Sequence, residues 1–162
     1  MVDDPLISAD DLTGFRGAPF PQAVADAAAG AVRAECGWHI APEVEQTLRL
    51  RGGSTHLLLP TLKLNGVASI TDADGNALTG WEWFESGVVE SNWGAFPRVV
   101  IVTFTHGYRA CPAELLPAIA ERASAQAAGR VKSQTAGTFS VSMDTTEDPF
   151  SAVAKYRIPG RL

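Results

Sequence analysis

The sequence is short of most residues that carry chemistry. It has two cysteines, Cys36 and Cys111, and three histidines, His39, His56 and His106, in 162 residues. Two thiols so far apart read as buried side chains of a reducing compartment, not as a disulfide framework. No serine stands in a G-x-S-x-G elbow, and no glycine loop ends in Gly-Lys-Ser/Thr. The usual signatures of hydrolase and P-loop chemistry are therefore missing. No apolar run approaches the ~18 residues of a membrane span. The opening Met1-Val2-Asp3-Asp4-Pro5 is acidic and lacks the cationic start of a signal peptide. The expectation is a protein made in a cytoplasm, with no membrane partner. Basic residues are scarce too. Thirteen Lys and Arg face 18 Asp and Glu, a formal charge of −5. A protein that reads nucleic-acid sequence normally shows a basic face, so that class is disfavoured.

Two constellations are candidate sites. Cys36-x-x-His39 and His106-x4-Cys111 hold zinc-type ligands. Their spacing is off the usual pattern and they do not sit on hairpin knuckles, so no metal is expected. Glu82, Glu85 and Glu90 flank aromatic residues, as a glycosidase pair would. A half-exposed strand gives the same alternation, so no catalytic residue and no cofactor are expected.

What the sequence does have is enough apolar content for a core, 46% hydrophobic against 19% charged. Ser8 is an expected N-cap for a short leader helix with acids in its first turn. Helical spacing of Phe20, Val24, Ala27, Ala31 and Val32 predicts a helix from Pro19 to about Gly37. Its alanine-rich stripe suits a closely packed helix partner, which would also explain Gly30 within it. From Val44 the period becomes two, a half-wet strand, with Gly52-Gly53-Ser54 as a turn and His56 to Leu59 as the return strand. Further strands are expected over Val67 to Thr71, Leu78 to Phe84 and Val99 to Thr105. The last is apolar on both alternating faces, which suggests cover on both sides. Gly107 can end it with a positive φ. Pro112 to about Ala128 reads as a second helix, with Leu115, Leu116, Ile119, Ala120, Ala123 and Ala127 buried. Pro117 either kinks it or marks its regular start. Gly129 suits its C-terminal cap, and Arg130 and Lys132 the negative end of its dipole. The fold class is α+β: a small helical bundle of two main helices plus short terminal helices, with an inserted antiparallel β-sheet.

Trp81, Trp83, Phe84 and Trp93 are too many aromatics for one side of a strand region to bury. They are the subunit-interface candidates. The segment 133–148 is polar and looks extended. After it, Phe150, Val153, Ala154 and Arg157 share one face of a short helix beginning at Pro149. That helix either docks on a partner or folds back on its own core.

The run Val102-Thr103-Phe104-Thr105-His106-Gly107-Tyr108, followed by Pro112 and an Ala/Leu helix, resembles the head–tail connector (adaptor, or head-completion) proteins of long-tailed bacteriophages. Leu59-Pro60, Val67-Ala68-Ser69-Ile70, a glycine hairpin and an aromatic strand precede it in the same order. The likeness spans roughly residues 8–157. It implies a structural virion protein of the neck, assembled in the host cytoplasm, without catalysis. Such adaptors form a ring of twelve under the portal, carry a stopper or head-completion protein below, and let DNA pass without sequence-specific binding. The resemblance also implies a core of residues 1–132 and a docking tail of 133–162, with Phe150, Val153, Tyr156 and Arg157 as portal-docking candidates. Twelve copies would carry a formal charge of roughly −60, which keeps phosphate sliding. A stopper, a tail terminator and a small carbohydrate-binding β module are the alternatives.

Overall fold

The computed structural model describes residues 5–128 and 149–159. They fall into two compact units. The helical unit takes its described residues from 5–36, 111–128 and 149–157, and the β unit from 37–110 and 158–159. The α+β class with an inserted antiparallel β region is the observed architecture.

In the helical unit, a single turn of 3-10 helix at Ala9–Leu12 is closed by a capping box. The Asp10 amide donates to Ser8 Oγ, and the Ser8 amide to Asp11 Oδ2 at 2.8 Å. Helix α1 is Gln22–Cys36 and α2 is Leu116–Ala128. Pro117 thus lies in the first turn of α2, where its missing donor costs nothing. The α1 stripe is rotated from the expected one. Ala25, Ala28, Ala29, Val32 and Cys36 are buried, whereas Ala27 faces solvent. Small residues on this face let α1 and α2 pack directly on each other. In α2 the buried set is Ala118, Ile119, Ala120 and Ala123, and Ala127 is exposed. Arg122 of α2 forms an ion pair with Glu35 of α1. Gly30 is exposed and no described residue approaches its Cβ position, so no packing partner among the described residues explains it. Gly30→Ala should therefore stabilise the chain by about 0.5–1 kcal/mol in urea unfolding, the helix-propensity difference alone.

A third helix, α3 (Pro149–Lys155), packs against both α1 and α2. Residues 129–148, with the expected cap Gly129, Arg130, Lys132 and the extended segment 133–148, lie outside the described residues.

The β unit contains two three-stranded antiparallel sheets where one was expected. The first runs β1 (Val44–Arg51), β6 (Val99–His106), β3 (Leu64–Asp72) in space. The second runs β2 (His56–Leu58), β5 (Val88–Ser91), β4 (Trp81–Phe84). One apolar cluster joins them: Val100, Val102, Phe104, Ile70 and Leu64 from the first sheet meet Leu57 and Val89 from the second. Strand β6 is central but not covered on both sides. Val100, Val102, Phe104 and His106 are buried, and the alternate residues only half so.

The stretch His56 to Leu59 is not a return strand for β1. The Gly52 amide donates to Arg98 O at 3.0 Å, and the Gly53 amide to Phe96 O at 2.9 Å. The two glycines continue along the chain that leads into β6 instead of reversing. A Cβ at Gly52 would lie 2.0 Å from Pro97 O, so only glycine allows this approach. The chain then crosses to the second sheet, and β1 pairs with β6 far along the sequence.

Candidate interaction surfaces

The four aromatic candidates are split by the second sheet. Trp81 is half-buried against the core cluster, and its indole N–H donates to Leu78 O at 2.8 Å. Trp83 and Phe84 are exposed, as is Trp93. The Trp93 indole N–H donates to Thr79 O at 2.6 Å, and its ring stands edge-on to the buried Phe96. Its orientation is thereby fixed while nearly half of it stays in water.

Register defines what faces outward. Leu58, Val88 and Phe84 stand in one row across β2, β5 and β4, and His56, Glu90 and Glu82 in the next. Residues one step along, such as Leu57 and Val89, point into the core. Leu58 is 75% exposed, the most exposed large apolar side chain among the described residues. The sequence places Leu58 in a strand without showing its face; only the pairing to β5 shows which leucine points out. The outer face is thus an apolar row beside an acidic one. Glu90 Oε1 lies 3.0 Å from His56 Nε2, and Glu85 is paired with Lys63. Glu82 and Glu90 lie across from each other on the sheet, and Glu85 lies in the turn between β4 and β5.

The portal-docking candidates are divided as well. Val153 is buried within the helical unit, and its carbonyl lies 3.9 Å from Cys36 Sγ. The helix has folded back on its own unit. Phe150 is exposed and lies under the Arg122 guanidinium, 5.6 Å from its ring centroid. Tyr156 is half-buried and Arg157 exposed. Val153 is therefore an anchor of α3, which presents Phe150 outward, and Arg157 is exposed just beyond its end.

The Cys/His constellation does not assemble. Among the described residues, no group of three or more His, Cys, Asp or Glu is placed to hold a metal ion. Burial pushes the Cys36 thiol up to about 11 and the Cys111 thiol up to about 12, so both stay protonated. His39 and His106 do meet, with ring centroids 5.8 Å apart. His39 Nε2 lies 2.7 Å from Pro42 O, whereas neither ring nitrogen of the buried His106 has a hydrogen-bond partner among the described residues.

No protein-family model matches the chain, and no curated protein matches it. Solved structures do match its fold. One chain from the neck of an empty gene transfer agent particle, computed with C6 symmetry, is 18% identical, with a TM-score of 0.61 over 97% of this chain and 92% of that one. A chain from the neck of the native particle, computed with C12 symmetry, is 17% identical, with a TM-score of 0.57 over 87% and 83%. A chain from the native particle's virion is 17% identical, with a TM-score of 0.58 over 95% and 88%. The chain therefore has the fold of chains found in phage-like necks, in agreement with the connector resemblance read from its sequence.

Proposed function

We propose that this chain is a structural virion protein of the neck, a head-to-tail adaptor. The observation that carries the reading is a shared fold along nearly the whole chain with a protein of a gene transfer agent neck. In this reading copies form a ring of twelve beneath a portal, in line with neck structures computed with C12 and C6 symmetry. A stopper or head-completion protein follows below, and genomic DNA passes through without sequence-specific binding. The ring is assembled in the host cytoplasm and no catalysis is involved. Residues 133–162 serve as the docking segment on a 1–132 core.

Co-sedimentation with the cognate portal ring tests this. Truncation after Lys132 would also remove α3 and uncover Cys36, so point variants are cleaner. The full chain is expected to bind the portal. Phe150→Ser combined with Arg157→Glu is expected to weaken binding at least tenfold, about 1.4 kcal/mol, with Val153 left in place as the anchor. Equal binding of the variant would remove the docking assignment. Failure of the full chain to bind would remove the adaptor reading and favour a stopper or tail terminator.

A further inference from the structure

The two outer faces of the β unit differ in charge. On the first sheet, Arg49 and Arg51 point away from the core, at alternate positions on β1 opposite Ile101 and Val99. Arg98 joins them where the chain leads into β6. Together with Leu50 and Val99 these three arginines line a shallow depression of about 320 Å³. None of the three has an ion-pair partner among the described residues. In a chain of net charge −5, an unneutralised cluster of three guanidiniums is a local exception. The outer face of the second sheet is its counterpart. It carries Glu82 and Glu90, placed directly across from each other, beside the apolar row Leu58, Val88 and Phe84. Glu82 has no ion-pair partner there either. Because the two sheets share one core, these faces point in opposite directions.

We infer that the arginine face of one copy docks on the acidic and apolar face of the second sheet of the next copy. A closed ring needs a heterologous contact, in which two different patches of the same chain meet. One basic patch and one acidic patch on opposite sides of a unit meet that requirement. A two-fold dimer would instead bring like charges together. Val99 and the half-buried Ile101 give the arginine face apolar ground for Leu58 and Phe84. Guanidinium groups suit forked pairing to carboxylates. The contact also offsets repulsion between copies that are each net negative. This inference rests on the ring reading and assigns its subunit contact.

Charge reversal in the full chain tests it. The wild-type chain is expected to self-associate in sedimentation velocity and native mass spectrometry at concentrations up to about 1 mM, more weakly as salt rises. Arg49→Glu with Arg51→Glu, and separately Glu82→Arg with Glu90→Arg, should each weaken association at least tenfold. All four positions are on the surface, and circular dichroism checks that both variants fold. A chain carrying all four changes should associate again, and an equimolar mixture of the two variants should do so too. A monomeric wild-type chain, an arginine variant that associates like wild type, or no recovery in the four-fold variant would each overturn the assignment. So would an arginine variant that keeps self-association and loses only a salt-dependent retention of double-stranded DNA, since the depression would then serve phosphates. If the portal is bound but charge reversal fails, this contact alone falls. If reversal succeeds without portal binding, the adaptor reading falls and the contact stands.

Discussion

Gly107→Ala should destabilise the chain by about 3 kcal/mol or more, seen as a lower urea midpoint with an unchanged slope. Two separate costs meet at this residue. Its φ of +101° is one that an L side chain rarely adopts, and forcing alanine there costs about 1–2 kcal/mol. A Cβ would also stand 2.9 Å from Pro42 O and 3.1 Å from Ile40 O, both backbone atoms. Those atoms cannot step aside. The Ile40 carbonyl accepts the Tyr108 amide at 2.7 Å, and Ile40 itself sits at a positive φ of 68°, rare for a β-branched residue. Gly107 is pinned from its own side as well. Its amide donates to Lys63 O at 2.8 Å, and its carbonyl accepts from Asn65 Nδ2 at 2.7 Å. Gly53→Ala is the control. Its φ of +97° is nearly the same, but nothing lies within 4 Å of its Cβ position. It should show the backbone cost alone, about 1–2 kcal/mol. Equal losses at the two glycines would mean that close approach contributes nothing at Gly107.

Much of the fold was legible where the signal is local. The start of β1 at Val44 followed from the change to a two-residue period. The Ser8 cap followed from a hydroxyl placed before two acids, and the strand-to-helix order after Val99 from β-branched residues, a glycine and a proline. What was illegible depends on partners far away in sequence. A Gly-Gly pair predicts a reversal, and here the pair serves a close approach to Pro97. Hence β2 was given to the wrong neighbour. Strand β5 was missed, although Ser86-Gly87 is a turn signal; Gly87 turns the chain at a φ of 88°, and a Cβ there would lie 2.4 Å from Thr61 O. The stripe of α1 was misplaced by rotation because alanine fits either face of a helix. The only cue to its true phase was Cys36, in step with Val32. Of the four interface candidates, Trp83, Phe84 and Trp93 are exposed and Trp81 is half-buried, a split that aromatic crowding in the sequence could not show. Leu58 and the joining of Arg98 to Arg49 and Arg51 needed strand register, which a single sequence does not carry.

His106, beside that glycine, should make the protein lose stability as pH falls from about 6.5 to 4. Burial is the main cause, with the neighbouring His39 adding to it, and together they hold the ring down to about 4, against 6.5 for a free histidine. The unfolded chain therefore takes up a proton in this window that the folded chain refuses. The contribution is fully present above pH 6.5 and is lost as pH falls through the folded value. Over the whole window it amounts to roughly 3 kcal/mol. The structure explains why the ring resists protonation. It is 1% exposed, neither nitrogen has a hydrogen-bond partner among the described residues, and it packs against the faces or edges of Phe104 and His39. His106→Leu removes the titrating group and leaves an apolar side chain of similar size. At pH 7.5 it should change stability by no more than about 1 kcal/mol, since the lost ring packing is offset by removal of an unsatisfied polar group. At pH 4.5 it should be the more stable chain by roughly 2 kcal/mol. The comparison is made between the two chains at each pH, so carboxylates common to both cancel. Asp72 in particular titrates lower, because the Asn76 side chain and amide hold its carboxyl below the usual range. Parallel stability curves for the two chains from pH 7.5 to 4.5 would show that His106 is protonated in the folded protein and that a proton partner reaches it.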